Sequence, residues 1–181
     1  MLRSRHSLAL VALLALVACG GTTVTHGVPN LVEVEPGLWR GGQPTIAGWA
    51  HLRDLGVRTV IKLNFDAEDV DDPAAVLGMT VLPVPFPPSE IDNLLGGPTV
   101  EQVRRIVAAM ADAKARPTYV HCTHGQDRTG LAVGAYRVSR GWPKSKAWWE
   151  MRERGFHELF LGLTDFWHDH VPLPLQPGAT P

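Results

Sequence analysis

Residues 118–130 read TYVHCTHGQDRTG. The β-branched and apolar start of this stretch predicts a buried strand that ends at His121, and the residues from Arg128 onward predict a helix. One cysteine, two histidines, one aspartate and one arginine therefore lie within or beside a strand-to-helix loop. Such a cluster fits half of a metal site, one end of a disulfide or a catalytic loop, and this choice decides most of what the chain does.

The sequence on both sides of this loop alternates predicted strands with predicted helices. Strands are expected within residues 31–44, 57–63, 79–86 and 118–122, and helices within residues 45–56, 99–110, 128–141 and 142–155. Alternation of this kind is typical of an α/β domain. We expect a central, mostly parallel sheet of four to five strands that is flanked by helices.

The helix after residue 98 carries the clearest signals. Thr99 and Gln102 form a T-x-x-Q capping box, and apolar residues recur on one side of the following turns. Gly141 and Gly155 are well placed to end the two helices that follow the quoted loop, since glycine is the preferred residue just after a helix. Thr99 thus predicts the start of one helix, and the two glycines predict the ends of two others.

The first eighteen residues differ from the rest of the chain. Arg3 and Arg5 precede an eleven-residue apolar run, LALVALLALVA, which is too short to span a bilayer and is typical of a secretory signal. The run ends in LVACG, which resembles the lipobox of bacterial lipoprotein precursors, and that likeness implies lipidation of Cys19. Gly20 after the cysteine favours the outer membrane by resemblance to Gram-negative sorting. We expect an exported, membrane-anchored lipoprotein of the bacterial cell envelope.

These signals divide the chain into four parts. We predict a signal peptide at residues 1–18, a lipidated N-terminus and tether at 19–30, the folded domain at 31–175 and a disordered tail at 176–181. The tether is expected because residues 20–30 are polar, glycine-rich and aperiodic. The whole chain of 181 residues is long enough for one domain, and we expect a monomer.

Composition argues against nucleic-acid binding and against a fold held together by disulfides. The formal net charge is −1 and no stripe of lysine and arginine occurs, so the chain lacks the basic footprint of a nucleic-acid-binding protein. Cys19 and Cys122 are the two cysteines, and a lipid on Cys19 would leave no partner for a disulfide. A lone thiol in an exported protein needs a reason, and catalysis is one.

The loop after the strand has the chemistry of an oxyanion site. Its amide groups and the helix N-terminus converge on one centre, Gly125 permits the turn, and Arg128 can donate two N–H groups to a phosphate. The same positive field favours the thiolate form of a cysteine at the mouth of the loop, which here is Cys122. Thr129 can hydrogen-bond this sulfur, and His121 can hold the loop.

The quoted residues resemble the H-C-x5-R-[ST] signature of the cysteine-dependent protein tyrosine phosphatase superfamily, and Leu38 to Phe156 is similar to its small dual-specificity-type members. The resemblance implies attack of Cys122 on phosphorus, a cysteinyl-phosphate intermediate and hydrolysis by water, with no cofactor and no metal. The residues that it implies for phosphate and substrate binding are Thr123, His124, Gly125, Gln126, Asp127 and Arg128. A phosphorylated protein or lipid is the expected partner.

The general acid is left open among three carboxylates. The dual-specificity family has this aspartate roughly thirty residues before the cysteine, and Asp92 lies thirty residues before Cys122. Glu90 lies in the same loop. Asp127 lies within the signature itself, and phosphatases with a C-x4-D-R loop use that aspartate in some members.

Other interpretations compete with the phosphatase hypothesis. A zinc site would combine His121, Cys122 and His124 with His168 and His170, but its spacing fits no common zinc motif. The acidic run from Asp66 to Asp72 lacks the pattern of a calcium loop and is expected to be solvated. A rhodanese-like sulfurtransferase and a non-catalytic phosphate-binding lipoprotein are the alternatives from other classes.

The middle of the loop bears on the substrate. Among its substrate-facing residues only His124 can become positively charged. A phosphotyrosyl, phosphoseryl or singly phosphorylated lipid group therefore fits better than a highly phosphorylated inositol, although phosphoinositides and inositol phosphates stay alternative substrates.

Overall fold

A computed structural model describes residues 22–85 and 95–173. The predicted fold class is confirmed, since five strands form one sheet in the order β3–β4–β7–β5–β6. The sheet strands are β3 (Val32–Glu35), β4 (Leu38–Gly41), β5 (Thr59–Lys62), β6 (Thr80–Pro83) and β7 (Thr118–His121). Only the β3–β4 pair is antiparallel among them, and the other neighbours are parallel.

Helices connect the parallel strands. They are α1 (Ile46–Asp54), α2 (Asp72–Val76), α3 (Val100–Ala111), α4 (Asp127–Ser139), α5 (Lys144–Glu153) and α6 (Leu161–His170), with a short 3-10 helix at Ala113–Ala115. The capping box at Thr99 is present with both of its hydrogen bonds, as predicted. Gly141 and Gly155 follow α4 and α5 with φ of 90° and 87°, so glycine ends both helices where expected.

The sheet is covered on both faces. One core joins the sheet to α3, α4, α5 and α6 and includes Ile61, Val120 and Trp167. The other core joins it to α1 and α2 and includes Trp49 and Tyr119. Because both faces are covered at the centre of the sheet, β5 and β7 are buried along most of their length, whereas the edge strand β3 alternates valine with glutamate.

The predicted tether needs a correction for its last residues. Strands β1 (Val24–Thr25) and β2 (Val28–Pro29) pair as an antiparallel hairpin that packs on the domain. Val28 is fully buried, and the Gly27 and Pro29 carbonyls accept hydrogen bonds from the Thr45 and Gly42 amides. The fold therefore includes residues before Leu31, because burial of one valine and pairing of two short strands outweigh the polar composition.

Several predictions concern residues outside the described ranges. Cys19, the signal segment and the tail at 176–181 belong to these parts, as do Glu90 and Asp92 in residues 86–94. Within the described ranges, no helix is long and apolar enough to cross a membrane.

Candidate active site

The quoted loop connects the carboxyl end of β7 to the first turn of α4. In a parallel sheet the carboxyl ends of neighbouring strands meet at one edge, which we call the catalytic edge, and β4 and β5 end beside β7 there. Gly125 has φ of 74°, and a Cβ atom there would lie 2.4 Å from the Gly41 carbonyl carbon. Only glycine fits this turn, as the sequence predicted.

Three consecutive carbonyl groups of the loop are hydrogen-bonded away from its concave side. The carbonyl of Thr123 accepts from the Gln43 amide at 2.9 Å, that of His124 from Asn30 Nδ2 at 3.0 Å, and that of Gly125 from Arg40 Nη2 at 2.8 Å. In a trans peptide the N–H group points opposite to the carbonyl. The amides of the next residues therefore converge on the concave side, which is an anion cradle.

Cys122 lies at the base of this cradle. Its side chain is almost fully buried, and Thr129 Oγ1 donates to its Sγ at 3.2 Å. Cys122 is a free thiol in the described part of the chain. A hydroxyl donor at this distance stabilises negative charge on sulfur, both before attack and when sulfur departs.

Arg128 is held in place by Glu68. The Nη1 and Nη2 atoms of Arg128 donate to the two Glu68 carboxylate oxygens at 2.8 and 2.5 Å, and Thr123 Oγ1 lies 3.4 Å from Glu68 Oε1. Burial favours the neutral acid, but hydrogen bonds from Arg128 and from the Phe65 amide outweigh burial and lower the pKa of Glu68. The bidentate pair fixes the plane of the guanidinium group and leaves its Nε–H free for a phosphate oxygen.

His121 is held by an aspartate from another loop. The ring is fully buried, stacks on Tyr119 and has Nε2 3.0 Å from Asp71 Oδ2. Gln43 Nε2 donates to Asp71 Oδ1 at 3.0 Å. Burial opposes ionisation of Asp71, but the hydrogen bonds from His121 and Gln43 lower its pKa. This network anchors the last residue of β7 from below and supports the predicted loop-holding role of His121.

Asp127 has a different environment. Its Oδ1 accepts from the His157 amide at 2.7 Å, and its carboxylate lies 3.1 Å from His157 Nδ1. Burial raises the pKa of Asp127. Because His157 occupies the carboxylate, Asp127 joins the start of α4 to the α5–α6 connection, which favours a structural role over that of general acid.

Sequence reasoning missed four of the residues that build this site. The acidic run was expected to be solvated, which is wrong for Glu68 and Asp71, since both bind residues of the quoted stretch. Lys62, which is buried at the end of β5, holds the same loop through Asp66 and the Asp69 carbonyl. The signal that could have found them is the place of the acidic run directly after predicted strand β5, because the loop after a parallel strand leaves the sheet at the catalytic edge. Asn30 gave no signal, since it lay in the predicted tether.

Arg40 is also part of the support. It is fully buried below the loop, and its Nε and Nη1 atoms have no hydrogen-bond partner among the described residues. Burial lowers the pKa of Arg40 to about 10, so the group stays cationic at neutral pH. A buried cation without a full set of partners stabilises a neighbouring anion.

Potential metal-binding side chains do not cluster in the described ranges. No three side chains of histidine, cysteine, aspartate or glutamate come together there in a way that could hold a metal ion. His168 and His170 lie in the last turn of α6, where they contact Trp148 and Phe166. The zinc hypothesis thus gains no support from the described residues.

A family model described as DSP-PTPase phosphatase fused to NAD+ kinase matches residues 24–159. The chain belongs to this family of dual-specificity-type phosphatases. The match begins within the hairpin, which agrees with the corrected start of the fold.

Curated relatives agree with the family. The dual specificity protein phosphatase TpbA of Pseudomonas aeruginosa (strain UCBPP-PA14) is 34% identical over 128 residues, which cover 70% of this chain and 55% of TpbA. The inositol diphosphatase DSP2 of Oryza sativa is 26% identical over 113 residues, which cover 62% of this chain and 55% of that protein. The chain thus spans about half the length of these relatives.

Solved structures share the fold. A crystal structure of P. aeruginosa TpbA in complex with pTyr has a TM-score of 0.63 and 26% identity, and the match covers 77% of this chain and 83% of that one. The predicted fold and family are confirmed.

Proposed function

We propose that this protein is a phosphatase that hydrolyses phosphomonoesters through a cysteinyl-phosphate intermediate. One observation carries the proposal: because three consecutive loop carbonyls are hydrogen-bonded outward, the loop amides point inward and form an anion cradle with the Cys122 sulfur at its base, 3.2 Å from Thr129 Oγ1. Loop amides and the Arg128 guanidinium bind the three non-bridging phosphate oxygens. Membership of the phosphatase family and likeness to TpbA support this proposal.

The reaction has two steps. In the first, Cys122 Sγ forms a bond to phosphorus while the bond from phosphorus to the leaving oxygen breaks, and a general acid protonates that oxygen. In the second, water attacks phosphorus, the sulfur–phosphorus bond breaks and the same carboxylate accepts a proton from water. Thr129 stabilises the sulfur as it leaves.

Asp92 is proposed as the general acid. Its loop connects β6 to α3 and leaves the sheet at the catalytic edge, since β6 runs parallel to β5. The carboxylate of Asp127 is bound by His157, which weakens the case for Asp127. Glu90, in the same segment as Asp92, is the second candidate.

A singly phosphorylated group is the proposed substrate. Glu68 pairs with Arg128, and Asp127 pairs with His157, so two of the basic groups near the cradle already have carboxylate partners. His124 is exposed and can become cationic. Each further phosphate would need another counter-charge. The pTyr complex of TpbA supports a phosphotyrosyl group, while the rice relative named as an inositol diphosphatase makes inositol phosphates the second candidate.

We also propose that Cys19 is lipidated and anchors the protein in the bacterial cell envelope. The signal-like residues 1–18 and the lipobox-like LVACG support this proposal. Globomycin, which blocks lipoprotein signal cleavage, should make the precursor accumulate. Unchanged processing would contradict lipidation.

A phosphate-release screen over phosphopeptides, phosphoinositides and inositol phosphates tests the proposed activity. We expect Cys122→Ser to abolish turnover while tungstate still binds the variant, because the cradle amides and Arg128 remain. Loss of both turnover and tungstate binding would point to a structural role for Cys122. Turnover that persists in Cys122→Ser would refute the cysteinyl-phosphate mechanism.

A further inference from the structure

Large apolar side chains are exposed on segments that neighbour the catalytic loop. Eight such side chains are exposed among the described residues, and six belong to segments that contact the loop or its supporting residues. We call these six the apolar rim: Val24, Ile46, Val70, Val76, Leu159 and Leu161. A soluble surface rarely concentrates apolar side chains in this way unless they meet a partner.

Hydrogen bonds tie each rim segment to the site. The Gln43 amide, three residues before Ile46, donates to the Thr123 carbonyl, and Gln43 Nε2 lies 3.3 Å from the Val70 carbonyl. On the other side of the loop, His157 binds Asp127 just before Leu159. The rim therefore flanks the cradle from two sides.

The rim continues into an apolar groove. Ile46, which is 82% exposed, and Val76, which is 85% exposed, line it together with Ala50, Pro73 and Leu77, and its volume is about 350 Å³. Ile46 and Val76 gain little from the fold in their present positions, because most of each side chain is exposed to water. Transfer to an apolar phase would favour each of them.

The N-terminal hairpin brings the chain start to the same face. Asn30 Nδ2 donates to the His124 carbonyl, and Thr22 Oγ1 lies 3.4 Å from Gln126 Nε2. Cys19 precedes Thr22 by three residues in the sequence. Three residues span at most about 10 Å, which is the upper limit on the distance between a lipid-bearing Cys19 and Thr22.

We propose that the apolar rim docks on the lipid bilayer that anchors Cys19, so that the catalytic loop faces the bilayer and takes phosphomonoesters presented at its surface. This inference rests on the proposed lipid anchor and on the proposed phosphatase function. The segment that bears Val70 also carries Asp66, Asp69 and Asp72, which anionic lipids repel, so apolar burial rather than attraction to anionic lipids holds the face down. Docking therefore depends little on salt concentration.

Hydrogen–deuterium exchange tests the docking directly. The lipid-bearing full chain is reconstituted in vesicles of phosphatidylethanolamine and phosphatidylglycerol, and its mass is checked for the lipid on Cys19. We compare it with the double variant Ile46→Ser/Leu159→Ser and with the matched control Trp149→Ser, which removes an exposed apolar side chain outside the rim.

We expect the amides of residues 22–30 to exchange at least about tenfold more slowly in the wild type and the control than in the double variant, since each of the two removed side chains contributes about tenfold in partitioning to an apolar phase. Equal exchange in all three proteins would overturn the docking proposal. Protection that appears only when a phosphopeptide or a second copy is added would assign the rim to a protein partner and would also overturn it.

Activity separates this inference from the proposed function. With p-nitrophenyl phosphate, all three proteins should turn over equally, whereas a phosphoinositide in the same vesicles should be hydrolysed about tenfold more slowly by the double variant. Absence of turnover on both substrates would refute the phosphatase function. Equal turnover of the phosphoinositide by all three, or a chain without lipid on Cys19, would refute docking and leave the phosphatase function standing.

Discussion

Glu68→Gln should lower kcat/KM about tenfold. The change keeps the size of the side chain but removes the charge that holds the Arg128 guanidinium through contacts of 2.8 and 2.5 Å. The full rotamer entropy of an arginine side chain is about 2 kcal/mol. Arg128 is only 7% exposed, so packing keeps part of the side chain ordered even in the variant. The remaining cost of ordering the side chain when phosphate binds is about 1.4 kcal/mol, which lowers kcat/KM about tenfold.

The ion pair itself contributes little more, because Glu68 is partly exposed and water screens the charges. Phenyl phosphate hydrolysis and inhibition by tungstate measure this effect, and both kcat/KM and the tungstate inhibition constant should change by the same factor. Asp72→Asn is the matched control, since it removes one exposed carboxylate from the same loop. A gain in kcat/KM for Glu68→Gln would refute the reasoning, because it would mean that Glu68 competes with phosphate for Arg128.

Three further predictions follow from the supporting residues. Arg40→Met should weaken inhibition by tungstate about tenfold, because the buried cation beneath the anion cradle and its hydrogen bond to the Gly125 carbonyl are lost; Arg40→Lys should restore much of the affinity, and an unchanged inhibition constant would limit Arg40 to a structural role. Asp92→Asn should lower kcat on phenyl phosphate by about a hundredfold and remove the acid-dependent limb of the pH–rate profile; if Glu90→Gln does so instead, Glu90 is the acid. The pKa of Asp71 is lowered in the fold, so its stabilisation is present above the ordinary aspartate pKa of 3.8 and is lost as pH falls through the folded value. The difference in melting temperature between the wild type and Asp71→Asn should therefore be largest near neutral pH and should shrink in acid; a constant difference would contradict the linkage.

The local part of the site was predictable because its residues are close in sequence. Cys122, Arg128 and Thr129 lie within one strand-to-helix loop, and backbone geometry brings such residues together in any fold that forms the strand and the helix. The helix ends at Gly141 and Gly155 were predictable for the same reason, since they depend on the conformation of single residues.

The supporting part was not predictable in this way. Glu68 and Asp71 look like members of a solvated acidic run, and only the parallel pairing of β5 with β7 brings their loop beside the quoted stretch. Asn30 lies 94 residues from His124 in the sequence. It reaches His124 because the Gly27 and Pro29 carbonyls of the hairpin accept hydrogen bonds from the Thr45 and Gly42 amides. Charge and composition give no sign of such contacts, because they depend on which strand ends meet.

The sequence by itself determined the chemistry of this protein: a nucleophilic sulfur, a phosphate-binding arginine and a hydroxyl donor in one short loop, within an alternating α/β chain. The tertiary structure decided how that chemistry is supported and which way it faces. Parallel strands place their carboxyl ends at one edge, so Glu68, Asp71 and Arg40 converge on the loop from distant parts of the chain. Burial of Val28 fixes the hairpin against the domain as well, so that Asn30 reaches the His124 carbonyl.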